Sequence, residues 1–155
     1  MWRRVPGLVV RGHGVASGRK NDPRFPGGTL RMQLPHFRAR GLDLSAYYRG
    51  TINVCIAPHR YVVRRPRCTF RHVRWHPTEP AEDFSFFDTR LETADGRRYP
   101  GLIYYPHPET KPEHVQPPDV LEVLTVFIPG LRYGDPVHLE TDPAQLDIVI
   151  REAPG

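Results

Sequence analysis

Asp83-Phe84-Ser85-Phe86-Phe87-Asp88-Thr89-Arg90-Leu91 is followed by Ala94-Asp95-Gly96 and then by Arg98-Tyr99-Pro100-Gly101-Leu102-Ile103-Tyr104-Tyr105. Two runs rich in aromatic and β-branched residues, joined by an Asp-Gly turn signal, predict a β-hairpin over 83–105. Similar short runs flank it on both sides. Leu8–Val10, Gly50–Ile56, Tyr61–Val63 and Cys68–Trp75 precede it; Val120–Ile128, Val137–Glu140 and Leu146–Ile150 follow. In Gly50–Ile56 the apolar residues 52, 54 and 56 share one face. Regularly spaced short strands with turn signals between them point to an all-β barrel or sandwich. The best helix candidate is short, Phe37 to Tyr48, while Thr29 to Leu34 alternates weakly.

Composition agrees. Proline contributes 18 residues and glycine 13, spread along the chain, and both break helices. Hydrophobic residues are only 39% of the chain, yet aromatics reach 10% and the apolar residues cluster, which argues against disorder. No repeat or low-complexity linker divides the 155 residues, so one domain over 1–155 is expected. Cys55 and Cys68 form no C-x-x-C pair, so neither a disulfide framework nor a zinc site is expected. The apolar run Leu8-Val9-Val10 behind the basic start is too short for a signal peptide or a membrane span, so a cytoplasmic location is expected.

Lys and Arg total 22 against 17 Asp and Glu, an excess carried by arginine in the first half. That suits an anionic partner, a nucleotide or a nucleic acid, and equally a solvated arginine surface.

Four segments carry candidate chemistry. Gly7-x-Val9-x-x-Gly12-x-Gly14 feeds a strand into a glycine-rich turn, where backbone N–H groups can approach a phosphate. It opens no long helix, so it is not a dinucleotide fingerprint. In Gly50-Thr51-Ile52-Asn53, Thr51 and Asn53 point to one side of a strand. They offer Mg²⁺ two oxygen ligands, or else form a hydrogen-bonded pair at a strand start. Glu122 lies inside the dense run Val120–Leu124, as a ligand-binding or basic carboxylate or on the wet face of an alternating strand. Tyr104 to His114 is a proline-stiffened polar loop holding Thr110. His72 and His76 have metal-ligand spacing, but no third ligand stands near them in sequence.

Taken in order, these segments resemble the archaeal CTP-dependent riboflavin kinase family. The likeness runs through Gly7–Gly14, Gly50-Thr51-Ile52-Asn53-Val54, Gly101-Leu102-Ile103-Tyr104-Tyr105-Pro106, Thr110, Val120–Leu124 and Tyr133-Gly134-Asp135-Pro136-Val137, spanning about 7 to 150. The resemblance implies a small six-stranded closed cradle-loop barrel with short helical turns. It also implies Mg²⁺-dependent transfer of a phosphoryl group from a nucleoside triphosphate, CTP in the family, to riboflavin, giving FMN. By that likeness Gly12, His13, Gly14, Val15 and Ala16 bind the nucleotide and Thr51 and Asn53 the metal. Thr110 and Glu122 contact the flavin, and Glu122 is the catalytic carboxylate. Three segments depart from the family pattern: Ser17–Gly28 is polar and proline-bearing, the loop between Thr110 and Glu122 is longer, and Val126–Arg132 is shorter than the family's stretch after the glutamate. Two other readings stand beside the kinase. One is a catalytically silent barrel that binds flavin or nucleotide; the other is a basic barrel that binds nucleic acid, the less favoured partner.

Overall fold

Strands dominate the computed structural model, which describes residues 1–12, 22–111 and 117–151. In chain order they are β1 (Arg3–Val10), β2 (Ile52–Cys55), β3 (Arg60–Val63), β4 (Cys68–Val73), β5 (Glu82–Glu92), β6 (Arg98–Pro106), β7 (Val120–Leu124), β8 (Pro136–Thr141) and β9 (Leu146–Val149), with one helix, α1 (Thr29–Ala39), between β1 and β2. The expected hairpin is β5–β6, the longest ladder, from Phe84↔Pro106 to Glu92↔Arg98.

All pairings are antiparallel, and those of seven strands make one sheet, in the order β4-β5-β6-β7-β2-β1-β8. β8 also pairs with β5, so the ladders run in a ring through β5, β6, β7, β2, β1 and β8. β5 makes this possible by dividing one edge between two neighbours. Its first half, up to Phe86, pairs with β4, and Thr89 to Glu92 pair with β8. β4 therefore stands outside the ring as a flap. β3 and β9 form a separate two-stranded ladder.

Period-2 alternation assigns each strand residue to one of two cores. Val5, Val54, Phe87, Ile103, Val123 and Leu139, one from each ring strand, pack together inside the ring. The intervening residues Phe84, Phe86, Leu102, Tyr104 and Leu124 face outward and form a second cluster with Leu30 and Phe37 of α1. β5 and β6 are thus apolar on both faces, which is why the quoted hairpin reads so densely.

The helix lies earlier than its expected span of 37–48. Leu30, Gln33 and Phe37, all buried, recur at helical spacing. Pro35 lies inside the helix, and its missing N–H removes the bond that Arg31 C=O would otherwise accept. The end is a Schellman motif. Gly41 N–H donates to Arg38 O at 3.0 Å and Leu42 N–H to Phe37 O at 3.0 Å, with Gly41 at φ 101°. Gly41 thus stops the helix where the sequence reading let it continue. Among the described residues no helix is long and apolar enough to cross a membrane.

Trp75 and Glu82 close the loop after β4, Trp75 Nε1–H donating to Glu82 Oε2 at 2.9 Å. Glu82 is buried, and desolvation pushes its carboxyl above the ordinary range. The Trp75 hydrogen bond and the charge of Lys111 oppose that shift, and Glu79 adds to it. The folded state therefore favours the protonated acid. That contribution is fully present below the ordinary glutamate value of about 4.3 and is lost as pH rises through the folded value. Glu82→Gln keeps an acceptor for Trp75 and removes the buried charge. The variant is expected to melt above the parent at neutral pH and to lose that advantage near pH 4, read by circular dichroism melts at both pH values.

Candidate functional site

A row of polar side chains crosses the outer face of the ring beside α1. Asn53 on β2 stands opposite Glu122 on β7, and Glu122 stands opposite Tyr104 on β6. Directly opposed residues have Cβ atoms about 4.5–5.5 Å apart, so the three side chains are neighbours. All are buried, at 8%, 9% and 4% exposure. Glu122 shares its face with Leu124, the side that α1 covers, and this is why a carboxylate sits inside so apolar a run.

Two more segments reach this row. Thr51, just before β2, donates from Oγ1 to Glu122 Oε1 at 3.2 Å. Gly12, just after β1, lies against the Asn53 side chain: a Cβ there would come within 2.8 Å of Asn53 Cγ and 2.9 Å of Oδ1, and would overlap Nδ2. Only glycine fits this approach without displacing the amide. Gly12, Thr51, Asn53 and Glu122 are thus brought together from three strand ends. His13, Gly14, Val15 and Ala16 lie outside the described residues.

Thr110 is used differently. Its Oγ1 accepts the Asp83 N–H at 2.9 Å and donates to His107 O at 3.2 Å, pinning the loop after β6 onto the start of β5. Its neighbours Pro108 and Lys111 line a small cleft of about 30 Å³ with Tyr61, Tyr105 and Glu122. The Thr110 hydroxyl serves the loop backbone, while the loop itself borders Glu122.

The electrostatics of the row hold its phenols neutral. Burial, reinforced by the charges of Glu122 and Glu82, keeps Tyr104 well above its ordinary pKa, and its O–H donates to Gln33 Oε1 of α1 at 2.7 Å. Burial likewise pushes Tyr61 up to about 12, with Tyr105, Glu122 and Asp119 adding to the effect.

No family model, curated protein or solved structure matches this chain.

Other residues around the row escaped the sequence reading. Gln33 is one, because its meeting with Tyr104 depends on how α1 packs. Tyr48, three residues before Thr51, and Phe127, five after Glu122, bring their rings to 5.6 Å at a tilt, and both stay exposed. The Arg11 guanidinium stacks over Tyr133 at 4.9 Å, next to Gly12.

The histidine pair resolves into structure. His76 Nδ1 accepts the N–H groups of Thr78 and Glu79, so its Nε2–H donates to Arg24 O at 2.7 Å. His72 sits at φ 53° where the β4–β5 register shifts. Among the described residues no group of three His, Cys, Asp or Glu side chains is placed to hold a metal ion. The Thr51, Asn53 and Glu122 set is of another kind, one hydroxyl, one amide oxygen and one carboxylate. These are hard oxygen donors of the sort Mg²⁺ takes when phosphates and water complete its shell.

Proposed function

We propose that this chain is a Mg²⁺-dependent phosphotransferase of the CTP-dependent riboflavin kinase type, cytoplasmic, with its strand ring acting as a cradle-loop barrel. The carrying observation is the meeting of Gly12, Thr51, Asn53 and Glu122 on one buried face. These are residues of the separate segments on which the family resemblance rests. A chance likeness of short motifs gives no reason for them to converge.

The roles follow from chemistry. Thr51 and Asn53 would hold Mg²⁺, which when bound offsets phosphate charge. The glycine turn at Gly12 lets the backbone and the nucleotide phosphates approach closely. Glu122, anchored by Thr51, orients the acceptor hydroxyl and takes its proton, while the loop at Thr110 borders the flavin. Phosphoryl transfer depends mostly on positioning and charge neutralisation, so a site with one carboxylate and few other groups suffices.

Arginine pairing favours this reading over a nucleic-acid partner. Arg67 is bound to Asp88 at 3.0 Å and Arg71 to Asp83 at 3.2 Å, while Arg64 contacts Asp147 at 3.4 Å. Three of the five arginines of the 64–74 stretch thus face carboxylates on neighbouring strands, which reduces the charge they present to a phosphate backbone.

The test is riboflavin phosphorylation with Mg²⁺ and each of CTP, ATP, GTP and UTP, with FMN read by chromatography. FMN formation with one donor above the rest supports the reading and names the donor. No FMN with any of the four overturns it. Gly12→Ala adds a geometric check, because the new methyl must displace the Asn53 amide. A misplacement approaching 1 Å costs up to about 10²-fold in rate, so FMN formation is expected to fall at least tenfold while the melting temperature stays near that of the parent.

A further inference from the structure

A second constellation stands on the face of β5 opposite the α1 helix, away from the Glu122 row. Ser85 on β5 is the cross-strand partner of Thr69 on β4. Its Oγ lies 2.7 Å from Thr69 Oγ1 and 2.6 Å from His107 Nε2. His107 Nδ1 in turn lies 3.2 Å from Glu109 Oε1. With the imidazole neutral, one proton arrangement satisfies the whole chain. The Glu109 carboxylate accepts the Nδ1–H, Nε2 accepts the Ser85 O–H, and Ser85 Oγ accepts the Thr69 O–H. A hydroxyl within hydrogen-bond reach of an imidazole that a carboxylate orients is the arrangement of an activated nucleophile.

Exposure along the chain picks the reacting end. Ser85 is buried at 1% exposure, so no substrate reaches its oxygen. Thr69 is exposed, so its hydroxyl is the one that meets solvent. The imidazole is well held: the His107 N–H donates to Asp83 O at 2.9 Å, and His107 O accepts from Thr110 Oγ1 at 3.2 Å.

We propose that Thr69 is the nucleophile of an acyl-transfer site that takes small activated carboxylic esters, with Ser85, His107 and Glu109 as its proton relay. Thr69 Oγ1 bonds to the acyl carbon, and the ester bond to the alkoxy group breaks. The Thr69 proton passes to Ser85 as the Ser85 proton passes to His107 Nε2, and Glu109 stabilises the imidazolium. The activated alkoxy group leaves as its anion into solvent. Water then bonds to the acyl carbon of the acyl-threonine and loses a proton to solvent as the bond to Thr69 Oγ1 breaks, Thr69 Oγ1 recovers its proton from the imidazolium through Ser85, and the carboxylic acid departs as carboxylate and proton.

The experiment uses the whole chain and p-nitrophenyl acetate at neutral pH. It reads p-nitrophenolate release and, by peptide mass mapping, the site of acetylation. The expected result is acetyl-Thr69, absent in Thr69→Val. Ser85→Ala and Glu109→Gln are each expected to slow its formation by about 10²-fold, the scale of positioned acid–base catalysis. Glu109→Gln is the decisive variant, since it is isosteric and its parent side chain is 68% exposed, so the fold is kept. Acetylation confined to lysines or to the chain's amino terminus overturns the proposal. So does Thr69 acetylation at the parental rate in Glu109→Gln.

Discussion

Asn53→Ala is expected to reduce FMN formation by about 10²–10³-fold, the usual cost of deleting one preorganised polar group from a water-poor active site. The residue stands at the centre of the proposed site, with Glu122 on one neighbouring strand, Val10 on the other and Gly12 over its amide. Alanine removes the amide oxygen offered to Mg²⁺ and the surface against which Gly12 packs. The loss belongs in kcat more than in KM for riboflavin, because the amide lies against Gly12, on the side proposed for the phosphates, rather than against the loop near Thr110. Thr51→Ser is the matching control: it keeps the hydroxyl that reaches Glu122 at 3.2 Å and is expected to stay within a few-fold of the parent. Loss of one net hydrogen bond costs about 1 kcal/mol, so Asn53→Ala still folds. Parental turnover by a folded Asn53→Ala would remove Asn53, and with it the metal assignment, from the mechanism.

The largest effect on stability is expected at Phe37. Its ring is fully buried where α1 meets the outer face of the sheet, 5.0 Å from Phe84, 5.2 Å from Phe86 and 6.0 Å from Phe70 between centroids. The contacts to Phe84 and Phe86 are edge-to-face, the favoured aromatic geometry. Phe37→Ala is expected to cost about 3–5 kcal/mol. At roughly 2–4 °C per kcal/mol for a chain of this size, that lowers the melting temperature by about 6–20 °C. Phe127→Ala, at a ring that is 64% exposed, is expected to shift stability by no more than about 0.5 kcal/mol. Thermal melts of the two variants side by side test whether the helix is held by this cluster. Equal shifts would mean that α1 contributes little to the fold.

The strands were legible because alternation survives in nearly all of them: Val54 and Ile56, or Leu121 and Val123, face the ring interior at two-residue spacing. The same period made Thr51 and Asn53 readable as a shared face, while the place of Glu122 opposite Asn53 follows from the pairing of β2 with β7. Helix α1 was harder to read. Pro35 reads as a break although it removes only one backbone bond, and the stop at Gly41 is recognisable only once the helix frame before it is known. The ring itself left no local trace, since nothing within 82–92 tells that β5 pairs with β4 by one half and β8 by the other. Tyr104 with Gln33, and Ser85 with His107, join residues 71 and 22 positions apart. Such meetings follow from how elements pack and not from spacing.

The place of β1 has a consequence for how the chain is made. β1 leaves the ribosome well before β8, and it ends between β2 and β8, so one of its edges waits for partners that run to Thr141. At roughly 5–20 residues per second, that edge stays unpaired for about 7–26 seconds, a long opportunity for a wrong partner. The edge is guarded in composition. Arg3 and Arg4 place charge along it, one of the means by which natural strands discourage pairing with strangers. When β8 arrives, Arg4 finds Glu92 at 2.6 Å. The charge that kept the nascent strand apart then becomes part of the joint that closes the ring.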